Sequence, residues 1–141
     1  MEIKPLDPEF GRVWHRVTRP GGEELVPEGV FAAALRGELA RLGQYRALGF
    51  AGPARECARR GAQLRRVTFF LEGNTPPLQP PQPVSGPPKE LLRGLFLAEG
   101  AAENRYRSLA AGMTDPILAR ALYLCADSCA RTRQLLWQMV K

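Results

Sequence analysis

Residues 37–48 read GELARLGQYRAL and residues 98–109 read AEGAAENRYRSL. Each stretch sets a Glu seven residues ahead of a Tyr, Glu38 before Tyr45 and Glu99 before Tyr106. Seven residues is about two helical turns, so each acid shares a helix face with its tyrosine. Apolar residues extend that face: Phe31, Leu35 and Leu42 around the first pair, Leu92, Leu95, Ala102 and Leu109 around the second. A carboxylate inside an apolar stripe is costly to bury without a partner. Surface glutamates are common on amphipathic helices, but these two stand in the stripe rather than beside it.

Outward from these stretches, four helices are predicted, over residues 27–48, 53–72, 88–111 and 116–140. Pro27, Pro53, Pro88 and Pro116 each precede a run of helix formers, and proline is favoured in the first helical turn. Asp115 is a natural N-cap, and Gly49, Gly73 and Gly112 fall where helices should stop. The second helix has the seam Ala54, Cys57, Gly61, Leu64, Thr68, Leu71; the fourth has Leu118, Ala121, Cys125, Ser128, Thr132, Leu135, Met139. These are bundle spacings. The small residues of the second helix invite close packing, which suits a homodimer.

Between the second and third helices lies GNTPPLQPPQPVSGPP, residues 73–88. So much proline favours an extended chain of roughly 40–50 Å, longer than a twenty-residue helix at about 30 Å. The other connections are short and make antiparallel hairpins. A long middle connection lets the second hairpin start from the opposite end, giving an all-α ferritin-like four-helix bundle with one crossover, linker 73–88. The domain expectation is an N-terminal arm over 1–26 and a bundle over 27–141. In the arm, VWHRV reads as a short extended segment, RPGGEE as a turn and Trp14 as an anchor.

The net charge of +6 comes mostly from arginine, with Arg55, Arg59, Arg60, Arg65 and Arg66 crowded together. No recognition motif accompanies them, so a solvated face is expected rather than nucleic-acid binding, with a basic adaptor for nucleic acid or an acidic partner as one alternative. Cys57, Cys125 and Cys129 are expected as free, buried thiols. No apolar run has the length of a membrane span, and MEIKPLDPEF is not a signal peptide, so the expectation is a cytoplasmic protein without membrane attachment.

The twin Glu/Tyr spacing, the helix order and the crossover resemble the small ferritin-like, rubrerythrin-like proteins over about residues 27–140. In that family the first helix of each half carries this Glu and Tyr, and the second carries Glu-x-x-His. Together they hold two metal ions, usually iron. The resemblance places the Glu-x-x-His positions at Ser128 and Arg131 in the fourth helix. In the second helix it implies Cys57 and Arg60 when counted back from the Leu-x-Gly turn, or Gln63 and Arg66 when counted from the first turn. The family's second glutamates and histidines are therefore absent from these positions. The single histidine, His15, lies in the arm.

Guanidinium stays protonated and cannot serve as the nitrogen ligand. It can, however, neutralise and fork to a buried carboxylate. The expectation is a vestigial centre of Glu38, Tyr45, Arg60, Glu99, Tyr106 and Arg131, in which Arg131 pairs with Glu99 and Arg60 or Arg66 with Glu38. Both tyrosines would be core residues bonded across the bundle. No catalytic residue and no cofactor are expected, and the function class is a non-catalytic binding or structural protein. The alternative is a carboxylate-only site of Glu38, Glu99, Glu103 and Asp127 for magnesium, calcium, manganese or iron, in an oxidoreductase or storage protein.

Overall fold

The computed structural model describes the backbone of residues 3–4, 14–19, 22–27, 29–73 and 81–140, and side chains within 29–73 and 81–140. Four long helices form an all-α body: α1 (Val30–Leu48), α2 (Ala51–Glu72), α3 (Pro88–Ala111) and α4 (Pro116–Met139). Three short antiparallel strands precede them, β1 (Ile3–Lys4), β2 (Trp14–Arg19) and β3 (Gly22–Pro27), in the order β1-β2-β3. VWHRV is extended as expected from Trp14 onward. Gly22, Glu23 and Glu24, read as turn, instead continue a strand that pairs with β2 from Arg19↔Gly22 to Trp14↔Pro27. The anchoring role of Trp14 concerns a side chain outside the described residues.

Pro27 closes β3 rather than opening a helix, because the chain first turns at Gly29, whose φ of 79° is in the left-handed region. Pro53 lies two residues inside α2. It is tolerated there because the first four N–H groups of a helix have no intrahelical acceptor. Pro88 and Pro116 open α3 and α4 as predicted. Gly49 and Gly73 end their helices with φ of 78° and 81°, a conformation that strongly favours glycine. Asp115 caps α4, its carboxylate accepting from the backbone N–H of Ile117 at 2.9 Å and of Leu118 at 3.2 Å. Asp115→Ala is expected to lower unfolding free energy by about 1 kcal/mol, measurable by urea denaturation.

Side-chain contacts fix the helix directions. Glu38, early in α1, meets Tyr106, late in α3, and Tyr45 meets Glu99, so α1 and α3 are antiparallel. Glu56 meets Arg131, and Arg60 meets Ser128, so α2 and α4 are antiparallel too. The packed pairs α1–α2 and α3–α4 are joined by short turns. Consequently α2 and α3 run in the same direction. The described end of the segment joining them is held to α1 by a reciprocal pair: Gln44 Nε2 donates to the Val84 carbonyl at 3.1 Å, and the Val84 N–H donates to Gln44 Oε1 at 2.8 Å.

Burial follows the predicted seams with one drift. Near the end of α4, Leu136 is buried while Leu135 and Met139 are exposed. A heptad-spaced stripe rotates by about 20° every two turns on a straight helix, which carries Leu135 off the core face. The small seam residues Ala54, Cys57 and Gly61 of α2 are buried inside the bundle, and Gly61 faces Leu35 of α1. They therefore serve internal packing.

The apolar interior falls into two clusters. One contains Phe31, Leu35, Leu64, Leu71, Tyr106 and Leu122; the other contains Tyr45, Ala54, Cys57, Leu95 and Leu136. Between them lies a polar layer. No helix among the described residues is long and apolar enough to cross a membrane.

Candidate functional site

The polar layer is built around Arg60. This arginine is only 1% exposed, a burial that charged residues tolerate only when paired. Its helix position explains why it points inward. Cys57, Gly61, Leu64 and Thr68 set the buried stripe of α2, and Arg60 lies one turn after Cys57 on the same side. Glu38 and Glu99 are equally buried, on α1 and α3.

The guanidinium of Arg60 is fully engaged. Nε donates to Glu38 Oε2 at 2.9 Å, and Nη2 donates to both oxygens of Glu99 at 2.9 Å. Nη2 also contacts Cys57 Sγ at 3.0 Å. Nη1 donates to Ser128 Oγ at 2.9 Å and Thr132 Oγ1 at 3.2 Å. Five N–H groups therefore reach partners on all four helices, a use of the planar fork that lysine could not reproduce.

A second cation joins the layer. Arg41 Nη2 lies 2.8 Å from Glu38 Oε2, and its Nε lies 3.5 Å from Glu99 Oε2. Two arginines and two glutamates thus balance in charge. The tyrosines close the layer crosswise: Tyr106 donates to Glu38, and Tyr45 donates to Glu99 at 2.7 Å. Glu38 Oε2 accepts from Arg60 and Tyr106 and forms an ion pair with Arg41, while Glu38 Oε1 has no partner among the described residues.

Electrostatics follow from this packing. Burial pushes the Glu38 carboxyl up, but Arg41 and Arg60 together reverse that and hold it below the usual carboxylate range. Burial works against the charge of both arginines, yet Glu38 and Glu99 more than offset it and raise their pKa values. Burial and the neighbouring carboxylates raise Tyr45 and Tyr106. Burial likewise raises the three free thiols Cys57, Cys125 and Cys129, Cys125 to about 12. A thiol driven away from its thiolate is a poor nucleophile and a poor metal ligand at neutral pH.

The structure brings Glu38, Tyr45, Arg60, Glu99 and Tyr106 together. Arg131 is not with them. It is exposed and lies 3.2 Å from Glu56, so the expected Arg131–Glu99 pair is replaced by Arg60, which takes both carboxylates. On α4, Ser128 and Thr132 point inward at a spacing of four. Residue 131 falls on the edge of that face, towards Glu56 of α2. In the second helix, the register through Cys57 and Arg60 is the one that reaches the core; Arg66 is exposed and contacts Gln63.

The four proposed carboxylates do not converge. Glu103 is held by Arg107 and Arg133, and Asp127 is exposed beside Arg107. No group of three or more His, Cys, Asp and Glu able to hold a metal occurs among the described residues. The donor set does not fit a di-metal centre either, because both core carboxylates already bind guanidinium cations where a metal would need them free.

Arg41 and Glu56 went unnoticed in the sequence. Arg41 follows Glu38 by three residues on the edge of the same stripe, which was the available signal. Glu56 accepts from Ser128 at 2.6 Å and thereby links the layer to the surface arginines Arg59 and Arg131. Its carboxyl, raised by burial, is held below its ordinary value by Ser128 and Arg131.

Comparison with protein-family models, curated protein sequences and solved structures gives no match.

Proposed function

We propose that this chain is a ferritin-like, rubrerythrin-like bundle in which arginine stands in place of the di-iron centre, and that it acts as a metal-free, non-catalytic binding or structural protein. The observation that carries this reading is the Arg60 guanidinium, bonded to Glu38 and Glu99 together. The crosswise Glu/Tyr pairs support it. So do the parallel directions of α2 and α3, which call for a connection long enough to run back along the bundle. The phenols and thiols of the layer are moved away from reactivity at neutral pH, which suits a structural centre rather than acid–base or nucleophilic chemistry. Association as a homodimer belongs to the same reading.

The test is metal linkage. The purified chain is expected to contain no stoichiometric transition metal, and its melting temperature should not move with added Mn(II) or Co(II). In Arg60→Ala the two carboxylates lose their shared cation. The same metals should then raise the melting temperature of the variant, since a ligand that binds only the folded state stabilises it. Stoichiometric iron or manganese in the unaltered protein would overturn the proposal.

A second reading, a basic adaptor for an acidic partner, draws on the outer surface of α2. Arg55, Arg59, Arg65 and Arg66 are exposed there, beside Phe69 and Phe70 at 56% exposure. Retention on an anionic resin that falls no more steeply with salt than for an Arg65→Gln/Arg66→Gln variant would count against it.

A further inference from the structure

Away from the arginine layer, the first turns of α3 and the last turns of α4 enclose a cavity of about 650 Å³. Leu92 and Phe96 form one wall and Leu136 and Trp137 the other, with Lys89 and Arg93 on the solvent side. Phe96 and Trp137 contact each other with ring centroids 6.1 Å apart. A cleft of this size, mostly apolar with a few placed charges, has the character of a small-molecule site.

The two cations specify its chemistry. Lys89 and Arg93 lie one turn apart on α3, and neither makes a side-chain ion pair or hydrogen bond among the described residues, whereas Arg107, Arg131 and Arg133 are all paired with acids. Among the described residues no acid lines the cavity; Glu90, in the same first turn of α3, is not part of its wall. Lys89 also lies in the first turn of α3, where the helix dipole already adds positive potential and acidic groups are favoured. Two cations one turn apart, the first of them in the opening turn of α3, stand above an apolar cleft and complement an anionic head on an apolar tail. Trp137 is 56% exposed and Val140 50%, so the wall is open to such a tail.

We propose that this cavity binds a free medium-chain aliphatic carboxylate, its chain between Phe96, Leu136 and Trp137 and its carboxylate on Arg93 and Lys89. A guanidinium accepts a carboxylate through two parallel hydrogen bonds, which gives the head group a defined seat. The proposal is independent of the arginine layer.

The chain has two tryptophans, so Trp14→Phe leaves Trp137 as the sole indole reporter. In that background, octanoate, 1-octanol and octylammonium are titrated at constant ionic strength while Trp137 emission is followed. Octanoate should bind about tenfold or more tighter than octylammonium, a step of about 1.4 kcal/mol. In Lys89→Gln/Arg93→Gln, which alters only exposed side chains, that order should vanish while octanol binding stays within about threefold. Three outcomes would overturn the proposal: no response of Trp137, the same head-group order in the double variant, or a sedimenting dimer whose Trp137 is already shielded and unmoved by octanoate. The last would give the face to a second copy of the chain.

Discussion

Arg60→Ala is expected to lose about 3–5 kcal/mol of unfolding free energy at pH 7, the largest effect of any single arginine substitution in α2 or α4. The reason is less the bonds lost than the charges left behind. Glu38 and Glu99 are 1% and 0% exposed, and without Arg60 they share only Arg41, while Ser128 and Thr132 lose their donor. Arg131→Ala should cost at most about 1 kcal/mol, because its pair with Glu56 is exposed on the arginine side and screened by solvent. Urea denaturation of the two variants separates them. The mechanism is checked by a third protein, Arg41→Met/Arg60→Met/Glu38→Gln/Glu99→Gln, which removes all four charges of the layer with little change of shape. Neutral replacement of a buried ion cluster is often close to neutral in stability, so this variant should recover most of the loss. A quadruple variant as unstable as Arg60→Ala would mean that packing, not charge, sets the cost.

The architecture was legible because its signals are local. Pro88, Pro116, Asp115, Gly49 and Gly73 mark helix ends through local constraints that hold in any context. The Glu38/Tyr45 and Glu99/Tyr106 spacings place four side chains on core faces by helical period alone. What holds those acids depends on the rotation of α2 and α4 about their axes, and there a period is ambiguous. Position 131 and position 132 are both about one turn from Ser128, yet Thr132 is buried and Arg131 is 58% exposed. Between Cys57/Arg60 and Gln63/Arg66, the tie is broken by neighbours. Gly61 and Leu64 flank the first pair on the buried face, and Arg65 beside Arg66 marks the solvent face. Arg41 escaped notice because a long side chain near a stripe edge can either snorkel outward or reach inward, and only the empty valences of Glu38 and Glu99 decide between these. The same residues explain why chemistry was harder to read than fold. Arg60 meets the need for positive charge beside two buried acids without offering a free lone pair or a proton that titrates near neutral pH.

Glu38→Gln should destabilise the protein by about 3–5 kcal/mol at pH 7, and should also change how stability depends on acid. In the native protein Arg41 and Arg60 hold the Glu38 carboxyl below the usual carboxylate range. The unfolded chain, free of those arginines, takes up the proton first as pH falls. Stability from this group is therefore fully present above about pH 4.5, near the ordinary Glu value, and is lost as pH drops through the lowered native value. Glu56, held below its ordinary value by Ser128 and Arg131, adds to the same acid limb from a partly exposed position. The melting temperature should thus be level from pH 5 to neutrality and fall steeply below about 4.5. Glu38→Gln cannot titrate, so its curve should start lower at pH 7 and fall less steeply, the two curves converging in acid. Parallel curves would show that Glu38 is not the group whose protonation opens the core, and would weaken the assignment of the Arg60 layer as the element that holds α1, α2 and α3 together. Glu56→Gln distinguishes the contributions. Its effect should be smaller at every pH, because its carboxylate keeps contact with solvent and its arginine partners are free to turn outward.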